Sequence, residues 1–137
     1  MRILRLIAVV IGIVAALAFG LPMFFHFYRP LPNLAAGISS LSTDAEARSE
    51  FTGRLSQKFP VGSPDAALKA ELDREGWGPI YMDKINDRKP PDQYVRFKRH
   101  VSLLFVEVAT VVWRSDDNGN LIEIRGGYFR DSSFKQG

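Results

Sequence analysis

Leu6-Ile7-Ala8-Val9-Val10-Ile11-Gly12-Ile13-Val14-Ala15-Ala16-Leu17-Ala18-Phe19-Gly20-Leu21-Pro22-Met23-Phe24-Phe25-His26-Phe27-Tyr28 divides this chain into an apolar segment and a cargo. These 23 residues hold no Asp, Glu, Lys or Arg, and Arg2 and Arg5 stand just before them. A bilayer core ~30 Å thick needs roughly 20 apolar residues as a helix, so the segment is long enough to cross one. Two readings compete. An export signal needs a basic start, an apolar stretch and a small-x-small cleavage site, which Ala16-Leu17-Ala18 supplies. Cleavage there leaves Phe19-Gly20-Leu21-Pro22-Met23-Phe24-Phe25 as a greasy new N-terminus. An uncleaved anchor accounts for more of the residues. Leu6 to Leu21 then spans, Phe24, Phe25, Phe27 and Tyr28 form an aromatic belt, and Pro22 is the weak point of the helix.

Working outward, Arg2 and Arg5 outweigh the single Arg29 that follows closely. The positive-inside rule keeps the N-terminus in the cytoplasm and sends the remainder across. The expected address is the inner membrane, single-pass, with a periplasmic C-terminal domain. The chain has no cysteine, which excludes disulfides, thiolate metal sites and a lipidated cysteine. Beyond residue 28 lie 109 residues, enough for one small domain. Once Arg2 and Arg5 are assigned to the anchor, 16 basic residues face 15 acids, so the cargo is close to neutral. That balance argues against a nucleic-acid partner, since any basic character must be local.

Residues 29–42 carry Pro30, Pro32, Gly37, Ser39 and Ser40 without an apolar period, the composition of a tether. Thr43-Asp44-Ala45-Glu46 matches a capping box, and Ala47, Phe51, Leu55 and Phe59 form a stripe, predicting a helix over Asp44 to Lys58. Pro60-Val61-Gly62 breaks the chain. Ser63-Pro64-Asp65 restarts it as cap, first-turn proline and dipole-facing acid, and Leu68 and Leu72 face inward. Gly76 suits the left-handed end of this helix over Pro64 to Glu75, with Trp77 folding over it. The remainder reads as β: Ile80 to Asn86, Tyr94 to Arg99, and Val101 to Arg114, whose fourteen residues call for a bulge or strong twist. Ser115-Asp116-Asp117-Asn118-Gly119-Asn120 is a turn, and Leu121 to Tyr128 returns as its hairpin partner. Asp131 to Gly137 should fray.

Phe59-Pro60-Val61-Gly62-Ser63-Pro64-Asp65-Ala66-Ala67-Leu68, with Leu72 and Gly76-Trp77, resembles the turn and second helix of the SmpA/OmlA (BamE-like) fold. Val112-Trp113-Arg114-Ser115-Asp116-Asp117-Asn118-Gly119-Asn120-Leu121-Ile122-Glu123-Ile124 resembles its closing hairpin. The resemblance implies an α+β domain over residues 43–130, two helices packed on one face of an antiparallel sheet of three to four strands. It further implies a small envelope-located binding module without a catalytic site or cofactor. The family's lipidated cysteine has no counterpart here, so lipoprotein biogenesis and an outer-membrane address do not carry over.

Few residues invite chemistry. Arg96, Lys98, Arg99 and His100 form the densest basic run outside the anchor, a contact for an acidic envelope protein or anionic surface, or else a solvated strand edge that discourages edge pairing. His26 belongs to the membrane interface. Glu107 interrupts an apolar strand, where a desolvated carboxylate can act as a general acid but more simply pairs with Arg125 or Arg130 across the sheet. Asp116-Asp117-Asn118 lacks the acidic ligand a calcium loop needs. The sequence thus points to a membrane-anchored binding module for protein, lipid or cell-wall partners. Its rivals are a tethered or secreted hydrolase inhibitor and a small enzyme using Glu107 or His100. The topology is testable directly: an alkaline phosphatase fused to the C-terminus is expected to be active, and activity only of a cytoplasmic reporter there overturns the orientation.

Overall fold

In the computed structural model, residues 1–22, 29–85 and 87–132 are described. Helix α1 covers Arg2–Ala15 and continues as a π-helical stretch over Ala16–Gly20, with helical backbone persisting through Pro22. A wider turn ahead of a proline is one way an apolar helix accommodates the missing amide. Arg2–Gly20 has a mean hydropathy of 2.6, and none of it is buried against the rest of the protein. Nineteen residues rise roughly 28 Å as a helix, long and apolar enough to cross a membrane. The expected aromatic belt, Phe24, Phe25, Phe27 and Tyr28, lies outside the described residues, as does His26.

The tether expected over residues 29–42 is instead a strap laid into the core. Leu31, Leu34, Ala35 and Ile38 are buried there, and short 3-10 turns form at Asn33–Ala35 and Ile38–Ser40. Four side chains hold its backbone. Glu75 accepts from the Leu34 amide at 3.2 Å, and Arg54 Nη1 donates to the Ala36 carbonyl. Arg130 reaches the Leu41 carbonyl at 3.3 Å, and Arg99 reaches that of Arg29 at 2.9 Å. The proline and serine content concealed this because the apolar residues, 31, 34, 35 and 38, are spaced for two separate short turns and not for one regular helix.

Helix α2, Asp44–Lys58, begins where its cap predicts: Thr43 Oγ1 accepts from the Glu46 amide at 3.1 Å. Its stripe of Ala47, Phe51 and Leu55 is buried. Helix α3, Asp65–Arg74, starts one residue later than expected, because Pro64 has extended ψ and serves as the cap itself. Its end is a Schellman motif. Gly76, at φ 76°, donates to Asp73, and Trp77 donates to the Leu72 carbonyl at 3.0 Å. Trp77 is thereby turned into the core, stacked on Phe51 at 6.1 Å and edge-on to Phe97 at 6.0 Å.

Four antiparallel strands follow in the order β1-β2-β3-β4: Tyr81–Met82, Gln93–His100, Phe105–Ser115 and Leu121–Ser132. β1 is far shorter than the Ile80 to Asn86 span expected, and Asn86 lies outside the described residues. The long strand expected from Val101 is also shorter, since Val101–Leu104 forms the turn between β2 and β3. Its bulge lies at the other end, between Arg114 and Ser115. β4 runs past the predicted start of fraying, pairing Asp131 and Ser132 with β3; residues 133–137 lie outside the described residues. Both helices cover one face of this sheet, where Val95, Phe97, Ala109, Val111, Trp113, Ile124 and Tyr128 are buried. Ile124 is 6% exposed and Ile122 41%, which fixes the parity of β4.

The two stretches singled out in the sequence meet in space. Gly62 donates to the Leu121 carbonyl at 2.7 Å, Leu121 donates to Ser63 at 2.8 Å, and Asp65 donates to Gly119 at 2.8 Å. The turn between the helices is therefore hydrogen-bonded to the turn between β3 and β4. The tightest helix–sheet approach is at Gly126, whose amide takes Thr52 Oγ1 as acceptor at 2.9 Å. A Cβ there would lie 2.7 Å from Phe51 Cγ. Gly126→Ala is accordingly expected to destabilise the fold by about 1–3 kcal/mol through overpacking. Thermal unfolding of the detergent-solubilised full chain checks this, and an unchanged midpoint would show that Phe51 does not rest on Gly126.

Candidate functional site: the uncovered sheet face

Strand alternation splits the basic run. Val95 and Phe97 point into the core, so Arg99 shares their side, while Tyr94, Arg96, Lys98 and His100 lie on the opposite face, which no helix covers among the described residues. Arg99 stands directly opposite Glu107, and its Nε is paired with Glu107 Oε1. Glu107 is 1% exposed, and its Oε2 accepts from Tyr128 Oη at 2.6 Å. The sequence expected Glu107 to pair with a cross-strand Arg125 or Arg130, and Arg130 does stand opposite it on β4 without forming the ion pair. Arg130 instead pairs with Asp44 at 3.0 Å, and Arg125 with Glu123 at 2.7 Å. Glu107 is flanked by an arginine on each neighbouring strand, and the one on β2 pairs with it because Asp44 on α2 takes Arg130. Arg99 thus belongs to an ion pair within the sheet.

This buried trio is structural chemistry. Burial first, and the adjacent Glu107 carboxylate second, push the Tyr128 hydroxyl well above its ordinary range. Glu107 and His100 point to opposite faces of the sheet, so no common site joins them. A cleft of about 320 Å³ lies between the strap and α2, lined by Asn33, Leu34, Arg54, Gln57, Lys58 and Glu75, and contains neither residue. Among the described residues, no group of three His, Asp or Glu is placed to hold a metal ion. The Asp116 carboxylate is occupied by the Asn118 and Asn120 amides, both at 2.9 Å, which makes this segment an Asx-type turn.

The two halves of this face differ: toward the β2–β3 turn, Val106 and Val108, opposite His100 and Lys98, are buried at 1% and 4% exposure. Toward the β3–β4 turn, the rings of Tyr81 and Tyr94 stack at 5.4 Å, and the Arg96 guanidinium lies 5.0 Å from the Tyr94 ring centre. Met82, opposite Gln93, points to the other side of the sheet, so the exposed surface here is made by Tyr81, Tyr94 and Arg96. Next to this cluster, Asp92 is buried among Arg88, Arg114 and Arg125, at 3.2 Å from the last. Desolvation alone would raise the Glu123 carboxyl, but its bonds to Arg114 and Arg125 outweigh that and hold it below the usual range. These arginines are committed to acids of the same chain. Tyr81 and Tyr94 were not picked out in the sequence, although reading positions 94, 96, 98 and 100 as one parity class would have grouped Tyr94 with the basic residues.

No protein-family profile, curated protein or solved structure matches this chain.

Tyr128 gives the site's pH dependence. An unfolded tyrosine titrates near 10, and the folded value is higher, so the stability it contributes is complete below pH ~10 and is lost as pH rises above it. Tyr128→Phe strands one Glu107 oxygen and is expected to cost about 1–3 kcal/mol at neutral pH. It should also make the alkaline loss of stability shallower. Denaturation midpoints from pH 8 upward compare the two proteins, and identical pH profiles would mean that Tyr128 is already ionised or solvated.

Proposed function

We propose that the protein is a single-pass, membrane-anchored binding module, without catalytic activity, that presents its uncovered sheet face to a protein partner in the cell envelope. The observation that carries this reading is the Tyr81–Tyr94–Arg96 stack on the helix-free side of the sheet, with Tyr81 49% exposed. Tyr and Arg lead the residues that concentrate binding energy at protein interfaces, because both bring large contact area and directional polar groups. Arg96 and the neighbouring Lys98 favour an acidic patch on that partner. The resemblance to the SmpA/OmlA fold supports a binding role in the envelope, and Arg2 and Arg5 support an inner-membrane anchor with the domain in the periplasm. Attachment to the membrane raises the local concentration of the domain, so that modest affinity suffices.

In-cell crosslinking followed by mass spectrometry tests this. The wild type is expected to recover a specific envelope protein that Tyr94→Ala and Arg96→Ser each lose, with the interaction weakening as salt rises. Arg99→Ser serves as a control of different origin. It leaves Glu107 buried without its cation and should cost about 3–5 kcal/mol in folding, so any loss of partner there follows loss of the fold. An unchanged partner set in both Tyr94→Ala and Arg96→Ser would remove this face from function, and recovery of a hydrolase would favour an inhibitor.

A further inference from the structure

The end of the domain opposite the Tyr81–Tyr94 stack carries an exposed apolar turn with no structural use. Val101, Leu103, Leu104 and Phe105 are 54%, 73%, 51% and 53% exposed, and Ser102 is the only polar side chain among them. Four large apolar side chains in five residues at a loop tip are costly in water and mark a contact surface. The turn's backbone is largely satisfied from within. Val101 donates to the Phe105 carbonyl at 2.9 Å and Ser102 to the same oxygen at 3.3 Å. Ser102 Oγ accepts from the Leu104 and Phe105 amides, both at 3.2 Å. Self-satisfied amides are what an apolar, water-poor environment requires.

The position of this turn identifies what covers it. Arg99, two residues before Val101, donates from Nη1 to the Arg29 carbonyl at 2.9 Å, and the Arg29 guanidinium lies over the Phe97 ring at 4.5 Å. Arg29 is the first residue after the apolar segment, and seven chain links, at most about 25 Å, join it to the end of the helix at Pro22. Beyond Arg29 the strap is packed into the core, so any freedom between the domain and its anchor is confined to those seven links. The end of the sheet that carries the apolar turn is therefore the end held nearest the membrane. Lys98 on β2, with Arg29, stands just behind the apolar residues, where long cationic side chains sit at headgroup level while neighbouring apolar groups lie deeper.

We infer that the β2–β3 turn, Val101–Phe105, is a second membrane contact that inserts its apolar side chains into the interfacial layer of the bilayer crossed by α1. The inference rests on α1 being a membrane span. Two points of attachment fix the domain's orientation: the β2–β3 turn faces the lipid, and the Tyr81–Tyr94 end of the sheet faces away from it. Such a contact needs little depth, because the covalent anchor already supplies the affinity and the turn has only to orient.

The absence of native cysteine makes the test clean. Single cysteines replacing Leu103, Leu104, Ile85 or Ile13 in the full-length protein are labelled with an environment-sensitive fluorophore. Each protein is then reconstituted into vesicles of phosphatidylcholine and phosphatidylglycerol containing doxyl-labelled phosphatidylcholine. Leu103→Cys and Leu104→Cys are expected to emit at shorter wavelength and lose about half their intensity to the doxyl lipid, as for side chains ~5–10 Å deep. Ile85→Cys, 93% exposed at the other end of the sheet, should keep a water-like spectrum without quenching. Ile13→Cys reports on the span itself. Quenching at Ile13 but not at Leu103 or Leu104 overturns the second contact and leaves the anchor standing. Absence of quenching at Ile13 overturns the span and this inference with it. A blue shift at Leu103 without lipid quenching means that protein covers the turn and also overturns it.

Discussion

A carboxylate taken almost wholly out of water has to be neutralised where it stands, and Glu107 is that carboxylate. Its two oxygens are used by Arg99 from β2 and Tyr128 from β4, so one side chain of the central strand ties both neighbouring strands together. The same arginine then spends a second nitrogen on the Arg29 carbonyl, which brings the start of the strap to this end of the sheet. Removing either partner would leave charge or lone pairs buried without compensation, which is why such groups are conspicuous even when they perform no reaction. Burial and the adjacent carboxylate together account for the raised Tyr128 hydroxyl.

The strap changes how the domain is joined to the apolar helix. A flexible linker of fourteen residues would let the domain sample many heights and orientations. With Leu34, Ala35 and Ile38 buried and Arg54, Glu75, Arg99 and Arg130 holding its carbonyls and amides, that freedom is removed. Glu75 is central to this arrangement, because it accepts from both the Leu34 amide and the Trp77 indole, at 3.2 and 3.0 Å. Trp77 in turn packs against Phe51 and Phe97. The segment that joins anchor to domain and the aromatic centre of the core are one continuous packed unit.

Among the described residues, both helices pack on one face of the sheet, and the other face carries Tyr94, Arg96, Lys98 and His100. The division of labour along that face follows from charge pairing. Arg88, Arg114 and Arg125 are absorbed by Asp92 and Glu123, whereas Arg96 lies on an aromatic ring at the surface. A count of basic residues in the sequence cannot separate those two fates. Geometry separates them.

The sequence by itself determined the elements whose causes are local. An uninterrupted apolar run makes α1, Thr43 caps α2, Gly76 and Trp77 close α3, and the Asp116 to Asn120 turn joins β3 to β4. Each depends on contacts within about five residues, which is the range a linear reading can survey. Tertiary structure decided everything that depends on strand parity and register: Arg99 turned inward to Glu107, Tyr81 brought onto Tyr94, Val101–Leu104 ending up as a turn, and residues 29–42 buried. Those outcomes pair residues from 8 to more than 40 positions apart. A shift of one residue in register would have sent Arg99 to solvent and Lys98 to the core. The selection was made by the packing of the whole domain, where burying Val95 and Phe97 beneath Trp77 outweighs any local preference of the basic run.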